Sequence, residues 1–207
     1  MPDPSPPDTR SARTRARLVD AALESLIEIG YARATGVEVC RRAGLTRGAL
    51  QHHFPVYGEL LAAALSAAYQ RTLEPVDTPE EGTGPLEQWV HRCNGRSGQR
   101  EFKAIIELWL GARNDPEMAE HLDDAIAHGS ALFSPSMLLK DRAAPIDDET
   151  DAIYRTILEA FIGLALGRAV NGFQPLGHED AVVEQLLLLA RRHDEHTNDR
   201  HHPRGTT

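Results

Sequence analysis

Apolar positions recur along this chain with the period of a helix. Over residues 11–29, Leu18, Ala22, Leu26 and Ile29 fall four and three apart, with Val19, Leu23 and Ile27 beside them. Arg13, Arg17, Asp20, Glu24 and Glu28 take the opposite side, so an amphipathic helix is predicted over Ser11–Ile29, closed by Gly30. The pattern is then punctuated at short intervals. A helix over Gly36–Ala43 starts from Thr35, with Glu38 completing a capping box. Gly44 supplies the left-handed backbone of a sharp turn. Thr46 caps a third helix over Arg47–Phe54, and Pro55 precedes a fourth over Tyr57–Leu73. Glu74–Pro85 holds Pro75, Pro79, Gly82, Gly84 and Pro85 and breaks the helical pattern. Helices resume over Leu86–Cys93, Gln99–Ala112, Pro116–Leu139, Asp148–Val170 and Glu179–His193, with Asp147–Thr150 supplying caps. No alternating run rich in β-branched residues stands among them, so the expected fold class is all-α. Residues 1–10 and 196–207 lack periodicity and are expected to be a disordered arm and tail.

Charge changes the picture through its distribution. The formal net charge is −9, which alone argues against nucleic acid. Residues 1–57, however, hold eight Arg against six Asp and Glu, while residues 58–207 hold 14 Lys and Arg against 25 Asp and Glu. A mildly basic head on an acidic body orients an encounter with phosphates. The two cysteines, Cys40 and Cys93, have no disulfide or zinc spacing, which fits a reducing cytoplasm. No stretch of 18 apolar residues is present and the first residues lack an apolar core, so neither a membrane span nor a signal peptide is expected.

Candidate chemistry concentrates at the two short helices and their glycine turn, an arrangement that can push one helix into a DNA groove. In the third helix, Leu50 and Phe54 are four apart and suit the core, which turns Arg47, Gly48, Gln51 and His52 outward. Arg pairs with guanine and Gln with adenine in the major groove. Gly48 and Ala49 are small enough for close backbone approach. Thr46, His53 and the helix N-terminus suit phosphate. Taken alone, the same residues also suit an ordinary polar surface helix.

Residues 14–61 resemble the TetR family of transcriptional regulators. The likeness rests on Thr14-Arg15, Leu18-Val19, Ala21-Ala22, Gly30-Tyr31, Thr35, Val39-Cys40, Ala43-Gly44-Leu45-Thr46, Gly48, Leu50, His53-Phe54 and Leu60-Leu61. The resemblance implies a helix-turn-helix DNA-binding head over 11–57, a linking helix over 58–73 and a helical body over 74–195 that dimerises and binds a small effector. It also implies a pseudo-palindromic operator, a phosphate contact at Thr35 and base-reading positions at Arg47, Gly48 and Ala49. This chain departs from the family pattern at three places. Gln51 opens the Gln51-His52-His53-Phe54 run where an aromatic is usual. Tyr57 replaces a usual Lys, so its phosphate contact would lack charge. Gly36 replaces an apolar residue, at a helix-propensity cost of about 1 kcal/mol.

The body carries more apolar surface than one helix face needs. Asp148–Val170 has two parallel rows, and Val182, Val183 and Leu186–Leu189 encircle the last helix. The surplus fits a four-helix homodimer interface formed by Ile157, Phe161, Leu164, Gly167, Val183, Leu186, Leu187 and Ala190. Burial inside the chain's own core is the alternative. An effector pocket would draw on Trp89, Phe102, Ile106, Trp109, Phe133 and Phe161, each of which could equally be core. No catalytic residues, metal site or cofactor are expected: the His193-Asp194-Glu195-His196 cluster with His201-His202 lies largely in the expected loose tail, and no nucleophile–base ordering appears. A helical enzyme and a dimeric scaffold that has lost DNA binding are the rival readings.

Overall fold

The computed structural model describes residues 9–72, 83–132 and 147–201, and every long regular element among them is an α-helix. These are α1 (Thr9–Ile29), α2 (Gly36–Ala43), α3 (Arg47–His53), α4 (Tyr57–Thr72), α5 (Pro85–Ser97), α6 (Arg100–Ala112), α7 (Pro116–Leu132), α8 (Asp148–Val170) and α9 (Glu179–His201), with a short 3-10 turn at Tyr31–Arg33. The all-α expectation holds. Thr9 and Arg10 of the expected arm are helical, and the rest of that arm lies outside the described residues, as do Phe133 and residues 202–207. The expected loose tail is corrected over 196–201, where α9 simply continues. Helix propagation adds one bond per residue, and the sequence offers no proline between Pro175 and Pro203 to stop it.

Two compact units emerge, neither contiguous in sequence. One joins residues 1–72 with 100–130, and so holds α1–α4, α6 and α7. The other joins 73–99 with 131–207 and holds α5, α8 and α9. The segment expected as one body, 74–195, is thus divided between them.

In the first unit α1 packs against α2, α4 and α6. The apolar row anticipated on α1 is buried at Leu18, Ala22, Leu23, Leu26 and Ile27. It meets Leu60, Leu61, Ala64 and Leu65 of α4 and Phe102, Ile105, Ile106 and Leu108 of α6 in the same core. Each fully buried Leu or Ile contributes roughly 1.5–3 kcal/mol. Polar contacts set the register. The Tyr31 N–H donates to Glu107 Oε2 at 2.8 Å, its hydroxyl donates to Asp115 Oδ2 at 3.3 Å, and its ring covers Gly111, where a β-carbon would collide with it. Arg100 bridges to Glu24 at 2.6 Å, and Arg71 pairs with Asp20. These half-exposed pairs orient helices more than they stabilise them.

In the second unit α5 packs against α8 and α9. Leu86, Trp89, Val90 and Cys93 form a core with Tyr154, Ile157, Phe161, Leu164, Leu186 and Ala190. The Trp89 Nε1–H donates to the Tyr154 carbonyl at 3.0 Å, and the two rings meet edge to face at 5.6 Å. Gly84 stands at the N-cap of α5 and has no side chain to cap it. Asp194 of α9 does so instead, accepting from the N–H groups of Leu86 at 3.2 Å and Glu87 at 3.1 Å.

Part of the expected dimer set lies in this core. Ile157, Phe161, Leu164, Leu186 and Ala190 are buried within the single chain, because α5 already covers that side of α8 and α9. Gly167 faces Leu176, and Val183 and Leu187 are half-buried against the same core. The apolar side chains left outward are Val170, 91 % exposed, with Leu188 and Leu189.

Candidate nucleic-acid interface

The two short helices form as their cap residues dictate. Thr35 is extended, and its hydroxyl oxygen accepts from the Glu38 N–H at 3.4 Å. The capping box is only half made: the Thr35 N–H turns back to the Arg33 carbonyl at 2.8 Å, while the Glu38 carboxylate is drawn away by Arg41 at 2.7 Å and Arg42 at 2.6 Å. Those hydrogen bonds hold Glu38 down at a pKa of about 2. Gly44 adopts φ 60°, ψ 38°, and its N–H closes α2 on Arg41 and Cys40 carbonyls. From α1, the Arg17 guanidinium donates to the Ala43 carbonyl, a second cap on the same helix end. Thr46 then accepts from Ala49 N–H at 3.1 Å and opens α3. Both Thr hydroxyls act here as acceptors, so each keeps its hydrogen for a phosphate oxygen.

Arg47, Gly48, Gln51 and His52 are exposed, as anticipated, and Ala49 and His53 are half-buried. Phe54 is buried, and Arg15 of α1 lies over its ring at 4.7 Å. Arg47 makes no ion pair among the described residues, whereas Arg42 is neutralised by Glu28 at 2.5 Å and by Glu38. Free positive charge therefore sits on α3, not on α2. The rings of His52 and His53 meet edge to face at 5.1 Å. Among the described residues no group of three or more His, Cys, Asp or Glu could hold a metal ion.

Two expected contacts are turned inward. The Tyr57 hydroxyl donates to the Ala34 carbonyl, and burial pushes the phenol pKa up, so it keeps its proton but has already placed it. Its ring lies beside Gly36, where a β-carbon would come 3.2 Å from Leu50 and 3.8 Å from Tyr57. The two departures are one packing solution: the side chain missing at 36 is replaced by the ring from 57. Gln51 stays exposed, and its Nε2 donates to the Pro55 carbonyl at 2.7 Å, which commits one of its two N–H donors to the turn after α3. Arg15 stood outside the expected site residues, and the fold brings it over Phe54. Its signal was present in the Thr14-Arg15 pair, but only the fold brings it beside α3.

The residues expected to line an effector pocket fall in both units. Trp89 and Phe161 belong to the core of the second unit. Phe102 and Ile106 are buried in the first, where Trp109 donates to the Tyr69 hydroxyl at 3.0 Å.

Comparison with known proteins follows the same lines. A sequence profile described as bacterial regulatory proteins, tetR family, matches residues 18–71. The uncharacterized HTH-type transcriptional regulator TtgW of Pseudomonas putida is 33% identical over 135 residues, covering 65% of this chain and 87% of that protein. The uncharacterized HTH-type transcriptional regulator Rv2912c of Mycobacterium tuberculosis is 29% identical over 191 residues, covering 87% of this chain and 95% of its own. Among solved structures, a transcriptional regulator from Rhodococcus sp. Rha1 superposes with a TM-score of 0.63 at 23% identity, covering 86% of this chain and 96% of that one. The multidrug binding protein EbrR, complexed with imidazole, superposes at 0.56 and 18% identity, covering 86% and 93%. BioQ with its double-stranded DNA operator superposes at 0.52 and 20%, covering 85% and 96%.

Proposed function

Because this chain belongs to the TetR family of bacterial helix-turn-helix transcriptional regulators, we propose that it is a homodimeric repressor released from a pseudo-palindromic operator by a small molecule. The observation that carries the DNA-binding part is α3 itself: a helix capped by Thr46, with Arg47, which makes no ion pair among the described residues, and a small exposed Gly48 in its first turn. Arg47, Gly48 and Ala49 approach base edges, His52 and His53 flank them, and Thr35, Thr46 and Arg15 hold phosphates. Gln51 and Tyr57 serve the turn after α3 and the packing under α2.

The homodimer forms through the outward faces of α8 and α9. Three of the six exposed large apolar side chains among the described residues, Val170, Leu188 and Leu189, lie there. Gly163 on the same side of α8 has open space above it. A two-fold pair of heads reads two half-sites about one DNA turn apart. An effector that favours another spacing of the heads shifts the population off the operator. The protein works in the cytoplasm, in keeping with its free buried cysteines; among the described residues no helix is long and apolar enough to cross a membrane.

Mobility shift on the DNA upstream of the protein's own gene, across a salt series, tests the reading. Specific binding that weakens steeply with salt is expected. Arg47→Ala should cost about 1–3 kcal/mol and relax the preference at one base pair. Dimer formation with no DNA binding at any salt would leave the scaffold reading standing. Leu188→Glu with Leu189→Glu should convert the protein to a monomer in sedimentation.

A further inference from the structure

Arg96 lies in the last turn of α5 and is only 6 % exposed. Its Nε and Nη1 are buried with no hydrogen-bond partner among the described residues, and so is the Oε1 of Gln99, three residues on. A guanidinium does not shed its proton in a protein, so the fold holds a full positive charge with unsatisfied donors. Burial pulls its pKa below the usual value; among the described residues the ionisable groups acting on it are the Cys93 thiol and the like-charged Arg92, with no carboxylate. Glu179 takes both ends of the Arg168 guanidinium at 2.6 Å and the Leu176 N–H at 2.9 Å, while Arg168 also donates to the Ser97 carbonyl at 3.1 Å. Arg92 donates to Gln88 at 3.1 Å. Buried polar groups in folded proteins are almost always satisfied, and charged ones more strictly so.

We infer that Arg96 anchors the binding site for a small organic monocarboxylate. A planar two-oxygen anion matches the fork of a guanidinium, and a single negative charge balances the single unpaired cation. This names the chemistry of the effector and in that respect rests on the repressor reading.

Thermal melts of the full chain and of Arg96→Met test the site, each alone and with millimolar benzoate or hexanoate, or the matching uncharged amides. Without ligand, Arg96→Met should melt about 2–4 °C above the native chain, because it removes a buried charge that nothing pairs. Benzoate or hexanoate should raise the native melting temperature while the amides do not, and Arg96→Met should lose that response. Arg96→Lys, which keeps the charge and loses the fork, should bind the acid at least about 10-fold more weakly. A variant that melts below the native chain would overturn the inference, as would equal carboxylate shifts in both proteins or no shift in the native one. Operator mobility shifts on the same samples separate the two readings. A carboxylate that binds through Arg96 without weakening operator binding keeps the site and removes the effector role.

Discussion

Gly48→Ala sets the stability of α3 against its docking. Gly48 is exposed, its φ lies outside the left-handed region, and a β-carbon there would meet only Thr46 Oγ1, at 3.8 Å. Nothing within the protein requires a glycine. Alanine should therefore stabilise the free protein by about 0.5 kcal/mol, the low end of the Gly-to-Ala range because the site is in the first helical turn. That corresponds to a rise of about 1–2 °C in melting temperature. On DNA the same methyl would stand between the backbone and the groove floor. The operator Kd should rise at least about 10-fold, or about 1.4 kcal/mol. Paired thermal melts and fluorescence-anisotropy titrations of a labelled operator measure both effects. A stabilised variant with unchanged affinity would show that the first turn of α3 does not approach the bases. A destabilised variant would refute the packing argument. Gly58 supplies the control, since a β-carbon there collides with the His121 ring and Gly58→Ala should lower the melting temperature.

Three further outcomes are expected. Asp194→Ala should cost about 1 kcal/mol in urea unfolding, by leaving the first turn of α5 uncapped, whereas Asp194→Asn should retain most of it. Tyr57→Phe should destabilise by about 1–3 kcal/mol, since the Ala34 carbonyl loses its donor in a part-buried site, while leaving the salt dependence of DNA binding unchanged. Hydrogen bonds from Arg168 hold Glu179 at a pKa of about 2, below its ordinary 4.5. A depressed acid stabilises the fold above its unfolded pKa, so this contribution should be full above about pH 5 and fade as pH falls from 4.5 towards 2. Stability curves of the native chain and Glu179→Gln should converge in that window.

What could be read from residues alone was local. Thr35, Gly44, Thr46 and Asp147 act within four residues of themselves, and each ends or starts a helix as anticipated. The outward row on α3 follows from its helical period in the same way. Long-range choices were not legible. Two apolar rows on α8 state that two neighbours are needed, but not that one of them is α5 of the same chain. Glu38 has the right spacing for a capping box, yet two arginines one turn later compete for it. Gly36 and Tyr57 look like separate weaknesses in sequence, because nothing in a linear string shows that the ring at 57 lies beside position 36. Arg96 had no signature at all: an unpaired buried cation is defined by what does not surround it.

The cap that Asp194 places on α5 also bears on the order in which this protein can be made. It joins residues 108 positions apart. As the chain leaves the ribosome, α1–α4 can gather early, but α5 emerges with glycine at its start and no partner for its first amides. It must wait there, amphipathic and half-finished, until α8 and then α9 have been synthesised. Completion of the second unit therefore waits on the synthesis of residue 194, and a nascent chain stalled before it would present the Trp89 face of α5 to chaperones.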